Sequence, residues 1–150
     1  MINRRLFLTT TTAAILTANL AAHAASPEIH SHEGLAINGF DPVAYFTAEH
    51  PVEGRAEFTT LYKGATWRFS SAENKAAFDA TPEMFAPQYG GYCAYAASKG
   101  YIATSDPAAW TIFEGKLYLN YSKSVRALWA LRKSTHIKSA NENWPGILQG

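Results

Sequence analysis

The clearest evidence for the fold of this chain lies in residues 58–80, FTTLYKGATWRFSSAENKAAFDA. Residues 58–62 and 65–69 are rich in aromatic and β-branched side chains, which favour strands. Lys63-Gly64 between them is typical of a tight turn. The first part of this stretch therefore predicts an antiparallel hairpin.

A helix is expected after the hairpin, and the whole order recurs near the other end of the chain. Ser70 followed by Glu73 is a capping box, which predicts a helix over about residues 71–80. A second hairpin pattern surrounds Glu114-Gly115, and a second capped helix pattern follows it. Superposing the two patterns pairs Gly64 with Gly115, Trp67 with Tyr118, Ser71 with Ser122 and Phe78 with Trp129.

These patterns predict one small α+β domain at residues 34–150, with two antiparallel β-hairpins and helices packed on them. Between the two hairpin units, a helical stretch is expected to start at Pro82 and to be interrupted by Pro87 and Gly90-Gly91. Each glycine costs about 1 kcal/mol against alanine inside a helix, so another segment or a ligand is expected to come close to Gly90-Gly91. Of the 150 residues, 47% are hydrophobic, which is enough for one core. Cys93 is the only cysteine, so no internal disulfide can form.

The first 24 residues have the pattern of a twin-arginine signal peptide. Arg4-Arg5 directly precedes an apolar pair, a mildly apolar stretch without charges follows, and Ala22-His23-Ala24 is a cleavage pattern. The four threonines at 9–12 make this stretch too polar for a membrane anchor. We therefore expect a periplasmic or secreted protein, with a flexible leader at residues 25–33 before the domain.

The charge of the mature chain excludes two classes of partner. Without Arg4 and Arg5, 11 of the 13 basic residues remain against 12 acidic ones. This balance predicts no nucleic-acid binding and, after signal cleavage, no membrane association. A metal ion or a small molecule is the expected partner, and a homodimer is one possible assembly.

Four stretches of the chain resemble exported bacterial YHS-domain proteins and cover most of the mature sequence. The resemblance implies a small α+β domain related to metal-binding modules of copper and heavy-metal handling proteins. The stretches are residues 39–46 (GFDPVAYF), 62–71 (YKGATWRFSS), 86–94 (APQYGGYCA) and 115–121 (GKLYLNY).

The resemblance also shows where this chain departs from its metal-binding relatives. In those relatives a cysteine follows the Asp-Pro-Val motif, and a second cysteine begins the helix after the first hairpin. Here the two positions hold Ala44 and Ser70. Alanine cannot bind a metal and a serine hydroxyl is a poor ligand for soft metals, so the usual thiolate pair is absent.

Cys93 is instead the expected centre of a metal site. Met84 and His50 are the candidate ligands beside it, and cuprous copper is favoured over zinc because structural zinc needs four cysteine or histidine ligands. Tyr89 and Tyr92 would form walls of this site. The alternative is that Cys93 is a buried core residue and that the tyrosines pack around it.

Several polar side chains have a structural and a functional interpretation. Asp41 and Asn120 interrupt apolar segments and are typical of turn and cap chemistry, but with Tyr45 they could also line a pocket under Cys93. The histidines of His30-Ser31-His32 are expected to be solvated residues of the leader.

Three classes of function remain open from the sequence. The first is a metal-handling accessory protein, with copper as the favoured cofactor. The second is a redox protein or enzyme that uses Cys93 as a nucleophile. The third is a metal-free binding module with an aromatic pocket. No catalytic motif is present in the sequence, so an enzyme is the less favoured interpretation.

Overall fold

The structure is a computed structural model that describes residues 14–15 and 24–150. The predicted signal peptide at residues 1–24 therefore lies almost entirely outside the described residues. No helix in the described part of the chain is long and apolar enough to span a bilayer. The strands and helices are, in chain order, β1 (Ser31–His32), β2 (Leu35–Ala36), α1 (Ala44–Thr47), β3 (Arg55–Tyr62), β4 (Ala65–Phe69), α2 (Ala72–Ala80), α3 (Pro82–Phe85), α4 (Ala94–Ser98), β5 (Asp106–Phe113), β6 (Lys116–Asn120), α5 (Lys123–Leu131) and α6 (Lys133–Asn143).

The repeated order of strand, turn, strand and capped helix is confirmed. The bounds of β5, β6 and α5 are those of β3, β4 and α2 displaced by the same number of residues. Each turn has two residues with positive φ, Lys63-Gly64 and Glu114-Gly115. Both hairpins also contain a bulge at the equivalent place, between Arg55 and Thr59 and between Asp106 and Trp110.

The two hairpins belong to different sheets. The first sheet has the order β1-β2-β4-β3, in which β2 runs parallel to β4 and the other neighbours are antiparallel. The second sheet consists of the antiparallel pair β5-β6. Together with the helices, this arrangement confirms the predicted small α+β domain.

Two hydrophobic clusters form the core, and strand β6 lies between them. Leu117 and Leu119 belong to the first cluster, around Trp67 and Phe78, whereas Tyr118 belongs to the second. Alternate residues of a strand point to opposite faces, so β6 contributes to both clusters. The two repeated units are therefore packed into one domain.

Two local predictions need correction. The cap of α2 is Ser71 rather than Ser70, because the Ser71 hydroxyl accepts a hydrogen bond from the N–H of Asn74 at 3.1 Å. The helical stretch after Pro82 is more broken than expected: short 3₁₀ turns cover Gln88–Gly91, and Tyr89 and Gly90 have positive φ. Tyr89 and Cys93 therefore do not share a continuous helix face.

The structure differs from the flexible leader expected at residues 25–33. The N–H of Ser26 donates to Leu148 O and that of His30 donates to Gly90 O, both at 2.8 Å. The side chain of Ile29 is 4% exposed and belongs to the first hydrophobic cluster. This segment is held on the domain because it buries an apolar side chain and pairs its backbone.

Candidate functional site

Asp41 is the centre of a buried hydrogen-bond network at the start of α1. Its Oδ1 accepts from the N–H groups of Val43 and Ala44, at 2.8 and 3.2 Å. Its Oδ2 accepts from the N–H and hydroxyl of Ser70, at 2.8 and 2.6 Å, and from the amide of Asn74 at 2.8 Å. Both oxygens are thus fully used in joining α1 to the end of β4.

This region does not fit the thiolate site of the metal-binding relatives. Ala44 is buried and has no ligand atom, and the Ser70 hydroxyl is already bonded to Asp41. The Asp41 carboxylate, which could bind a hard cation, has its lone pairs directed at protein donors. The side chains present at these positions serve a structural role.

Tyr45 connects α1 to the second unit. It is fully buried, and its hydroxyl donates to the carbonyl of Pro107 at 2.9 Å. Burial, followed by the nearby charges of Asp106 and Asp41, raises the pKa of Tyr45 far above its ordinary range. The phenol is therefore a permanent donor and does not supply a phenolate ligand.

Cys93 and Asn120 form a second buried polar contact, at the start of α4. The Cys93 sulfur is 3.6 Å from Asn120 Oδ1 and accepts from the N–H of Ala96 at 3.5 Å. Asn120 Oδ1 also accepts from the N–H of Tyr95 at 3.0 Å, whereas Asn120 Nδ2 is buried and has no partner among residues 24–150. With Cys93 1% exposed, the thiol caps a helix inside the core.

The structure does not place the three predicted copper ligands in one environment. Cys93 is buried, Met84 is 63% exposed, and His50 is exposed with its Nδ1 3.0 Å from Pro51 O. Among residues 24–150, no group of three His, Cys, Asp or Glu side chains is placed to hold an ion. Copper at Cys93 would therefore require the thiol to become accessible.

Tyr89 and Tyr92 are anchors for other segments. The Tyr89 hydroxyl donates to Asn141 Oδ1 at 2.9 Å, and the Tyr92 hydroxyl donates to Pro27 O at 2.8 Å. Burial is the main cause that raises the pKa of both phenols above the ordinary value of 10. Tyr89 also lines an open cleft of about 440 Å³, together with Tyr62, Lys63, Lys116 and Trp144.

Close neighbours explain why positions 90 and 91 require glycine, which has no side chain. A Cβ on Gly90 would overlap the carbonyl oxygen of Glu28, and a Cβ on Gly91 would lie 2.6 Å from the side chain of Ile37. The close approach expected at these glycines is confirmed, and what approaches is another segment of the chain. At Gly90 that segment is the one expected to be a loose leader.

A second cleft, of about 320 Å³, was not expected from the sequence. Its lining residues are all polar: His30, Ser31, His32, Asn38, Thr104 and Ser105. His30 is 7% exposed, and its Nδ1 is buried without a hydrogen-bond partner in the described part of the chain. Burial and, next, the nearby His32 lower the pKa of His30. The spacing of the two histidines was the only signal in the sequence.

Comparison with known proteins identifies one domain. No curated protein and no solved structure gives a significant match to the chain. Residues 43–89 match the YHS domain, which covers α1 and the whole first hairpin and helix unit. This match is consistent with metal handling. The chain thus contains a YHS domain at residues 43–89.

Proposed function

We propose that this protein is a metal-handling accessory protein that works outside the cytoplasm, with copper as its metal. The observation that carries the proposal is the YHS domain at residues 43–89, because this domain is metal-associated. The twin-arginine pattern at Arg4-Arg5 supports an exported protein. That route carries folded proteins, so a metal could be loaded before export.

Copper suits the ligands of this chain better than structural zinc does. Structural zinc normally takes four ligands drawn from cysteine and histidine. The described residues contain one cysteine, and no group of three candidate His, Cys, Asp or Glu ligands lies together. Copper accepts thiol, thioether and imidazole ligands, and cuprous copper is stable with fewer of them.

Cys93 remains the proposed cuprous ligand, with Met84 or His50 beside it. The thiol is the softest ligand available, but it is 1% exposed and lies between Asn120 and the first turn of α4. Loading would therefore need local opening of α4. Slow binding that follows opening of this helix is the expected kinetic behaviour.

Metal analysis of protein purified from its native compartment tests the proposed function. We expect a stoichiometric fraction of copper and little zinc. A protein that consistently carries no copper after purification without chelators, from cells grown with sufficient copper, would contradict the proposal.

The role of Cys93 needs a separate experiment. Mature wild-type protein and Cys93→Ser are titrated anaerobically against a competing cuprous chelator. Weaker binding in the variant, with unchanged circular dichroism, is expected. Equal affinity in both proteins, or none in either, would show that Cys93 is a core residue and not a ligand.

A metal-free binding module is the second candidate function. It is favoured by the cleft of about 440 Å³, whose wall is Tyr89 in a left-handed backbone conformation with φ of 58°. Strained backbone is often found at functional sites. Two lysines and two glutamates also line the cleft, and one lysine, Lys63, is paired with Glu28. Ligand screening against Tyr89→Leu would test this role.

A further inference from the structure

We propose that His30 and His32 bind a cupric ion at the polar cleft formed with Asn38 and Thr104. The inference rests on the proposed copper function and assigns it an accessible site that differs from Cys93. Neither histidine belongs to the YHS region at residues 43–89.

The backbone places the two imidazoles on one side of the chain. His30 directly precedes β1, and in an extended segment residues i and i+2 point to the same face. Both side chains line the same cleft. The position of His30 is fixed, because its N–H donates to Gly90 O at 2.8 Å and its carbonyl accepts from Ile37 N at 3.0 Å. The site therefore has one ligand on a fixed backbone and one exposed, adjustable ligand.

His30 has a buried ring nitrogen that no described residue pairs. Buried polar atoms are nearly always paired, yet His30 Nδ1 has no partner among the described residues while the ring packs edge-on against Tyr92 at 5.4 Å. A half-turn about the Cβ–Cγ bond exchanges Nδ1 with the Cδ2 carbon. The turn would take the unpaired nitrogen out of its present buried position, and the proposed site requires that it then faces the cleft, which His30 lines.

The residues that line the polar cleft favour cupric copper. Two imidazole nitrogens with hydroxyl, amide and water oxygens are ligands of the N and O type that suit tetragonal Cu(II). Thr104 and Asn38 are exposed at the cleft and can contribute oxygens, whereas the Ser105 hydroxyl is already donated to Gly91 O at 2.6 Å. No thiol or thioether lines the cleft, so it does not suit cuprous copper. Two histidines are also too few for structural zinc.

Titration of Cu(II) into tag-free mature protein, residues 25–150, tests the site. Glycine serves as the competing chelator, and wild type is compared with His32→Ala, His30→Gln and the control His136→Ala. We expect affinity to fall at least about tenfold in the first two variants, because even residues that only support a metal ligand affect affinity by roughly 10–100-fold. The control should stay within about threefold. Circular dichroism checks that each variant folds.

His32→Ala is the decisive variant, since His32 is exposed and its loss should not disturb folding. Electron paramagnetic resonance of the wild-type complex should show two imidazole nitrogens, and His32→Ala should show one. Unchanged affinity and spectrum in His32→Ala would overturn the site. Copper in protein from the native compartment, combined with unchanged Cu(II) binding in this variant, would leave the proposed function standing and refute only the site.

Discussion

The rings of Trp67 and Phe78 pack with their centroids 5.2 Å apart and their planes at 34°. The equivalent rings of the second unit, Tyr118 and Trp129, are 5.3 Å apart at 39°. Tilted aromatic pairs contribute beyond the area they bury. The two units therefore pack their helix against their second strand with the same aromatic geometry, although the aromatic residues differ.

Gly90→Ala should undock the segment at residues 26–32. The new Cβ would overlap Glu28 O, and alanine is also strained at φ of +62°. We expect a loss of about 3 kcal/mol or more in unfolding free energy, measured by urea denaturation. Faster hydrogen exchange of the His30 amide, which donates to Gly90 O, should accompany it.

Gly64→Ala is the matched control for that variant. Gly64 has φ of +79°, but a Cβ there has nothing within 4 Å. Only backbone strain should remain, which costs roughly 1–2 kcal/mol. Equal losses in the two variants would mean that the contact with Glu28 does not matter.

Asp41→Ala should be among the most destabilising single substitutions in this chain. It leaves the donors of Val43, Ala44, Ser70 and Asn74 without their acceptor. Hydrogen bonds to a charged group contribute about 1.5–3 kcal/mol each, and their effects do not simply add. A loss of about 4 kcal/mol in thermal or urea unfolding is expected.

Asp106→Ala provides the comparison for Asp41→Ala. Asp106 also precedes a proline, and its Oδ1 accepts from the N–H two residues on, in Ala108, at 2.8 Å. Because Asp106 is exposed, this substitution should cost about 1 kcal/mol or less. A loss as large as that of Asp41→Ala would contradict a special role for the Asp41 network.

The Cys93 thiol should be protected from reagents in the native state. Its side chain is 1% exposed and its sulfur is engaged with Ala96 N–H and Asn120. Labelling with a thiol-specific reagent should be slow in buffer and complete in urea. Rapid stoichiometric labelling of the folded protein would instead favour a reactive cysteine.

His136 should titrate below its ordinary pKa of 6.5. Burial, followed by the positive charges of Lys99 and Arg132, lowers the pKa of this imidazole. Since the unfolded chain then binds more protons, the contribution of His136 to stability decreases as the pH falls below about 6.5. An NMR titration checks the pKa, and Lys99→Gln should raise it. A pKa above 6.5 in the wild type would contradict this packing.

Replacing Arg4 and Arg5 with lysine tests export. The positive charge is kept, but a translocon that reads two arginines should leave the precursor in the cytoplasm. Fractionation followed by immunoblotting measures the result, and a signal with only Arg4 replaced is a milder comparison. Normal delivery of the mature form by the double variant would refute the twin-arginine assignment.

The hairpins and the two capped helices could be predicted because their signals are local, although the cap of α2 lies one residue later than expected. Lys63-Gly64 and the serines before α2 and α5 determine structure within a few residues of themselves. The glycine pair even predicted that a segment or a ligand would approach Gly90-Gly91. It could not indicate which one, because Glu28 is far from Gly90 along the chain.

The candidate sites were harder to predict because they depend on distant contacts. Asp41 and Asn120 are both polar residues in apolar segments. Asn120 nevertheless contacts Cys93, whereas Asp41 pairs with Ser70. His30 belongs to a segment whose composition is typical of a loose tail. Its burial follows from the docking of Ile29 and from pairing with Gly90, which no local pattern shows.

The hydrogen bond from Ser26 N–H to Leu148 O brings the two ends of the domain together. Ends that touch allow circular permutation, and new ends are best tolerated in exposed turns. Lys99-Gly100 is such a turn and lies between the two repeated units. A chain opened there and joined across residues 26 and 148 would present the second unit first, with the same neighbours in space. The two units should therefore pack in the same way whichever of them is synthesised first.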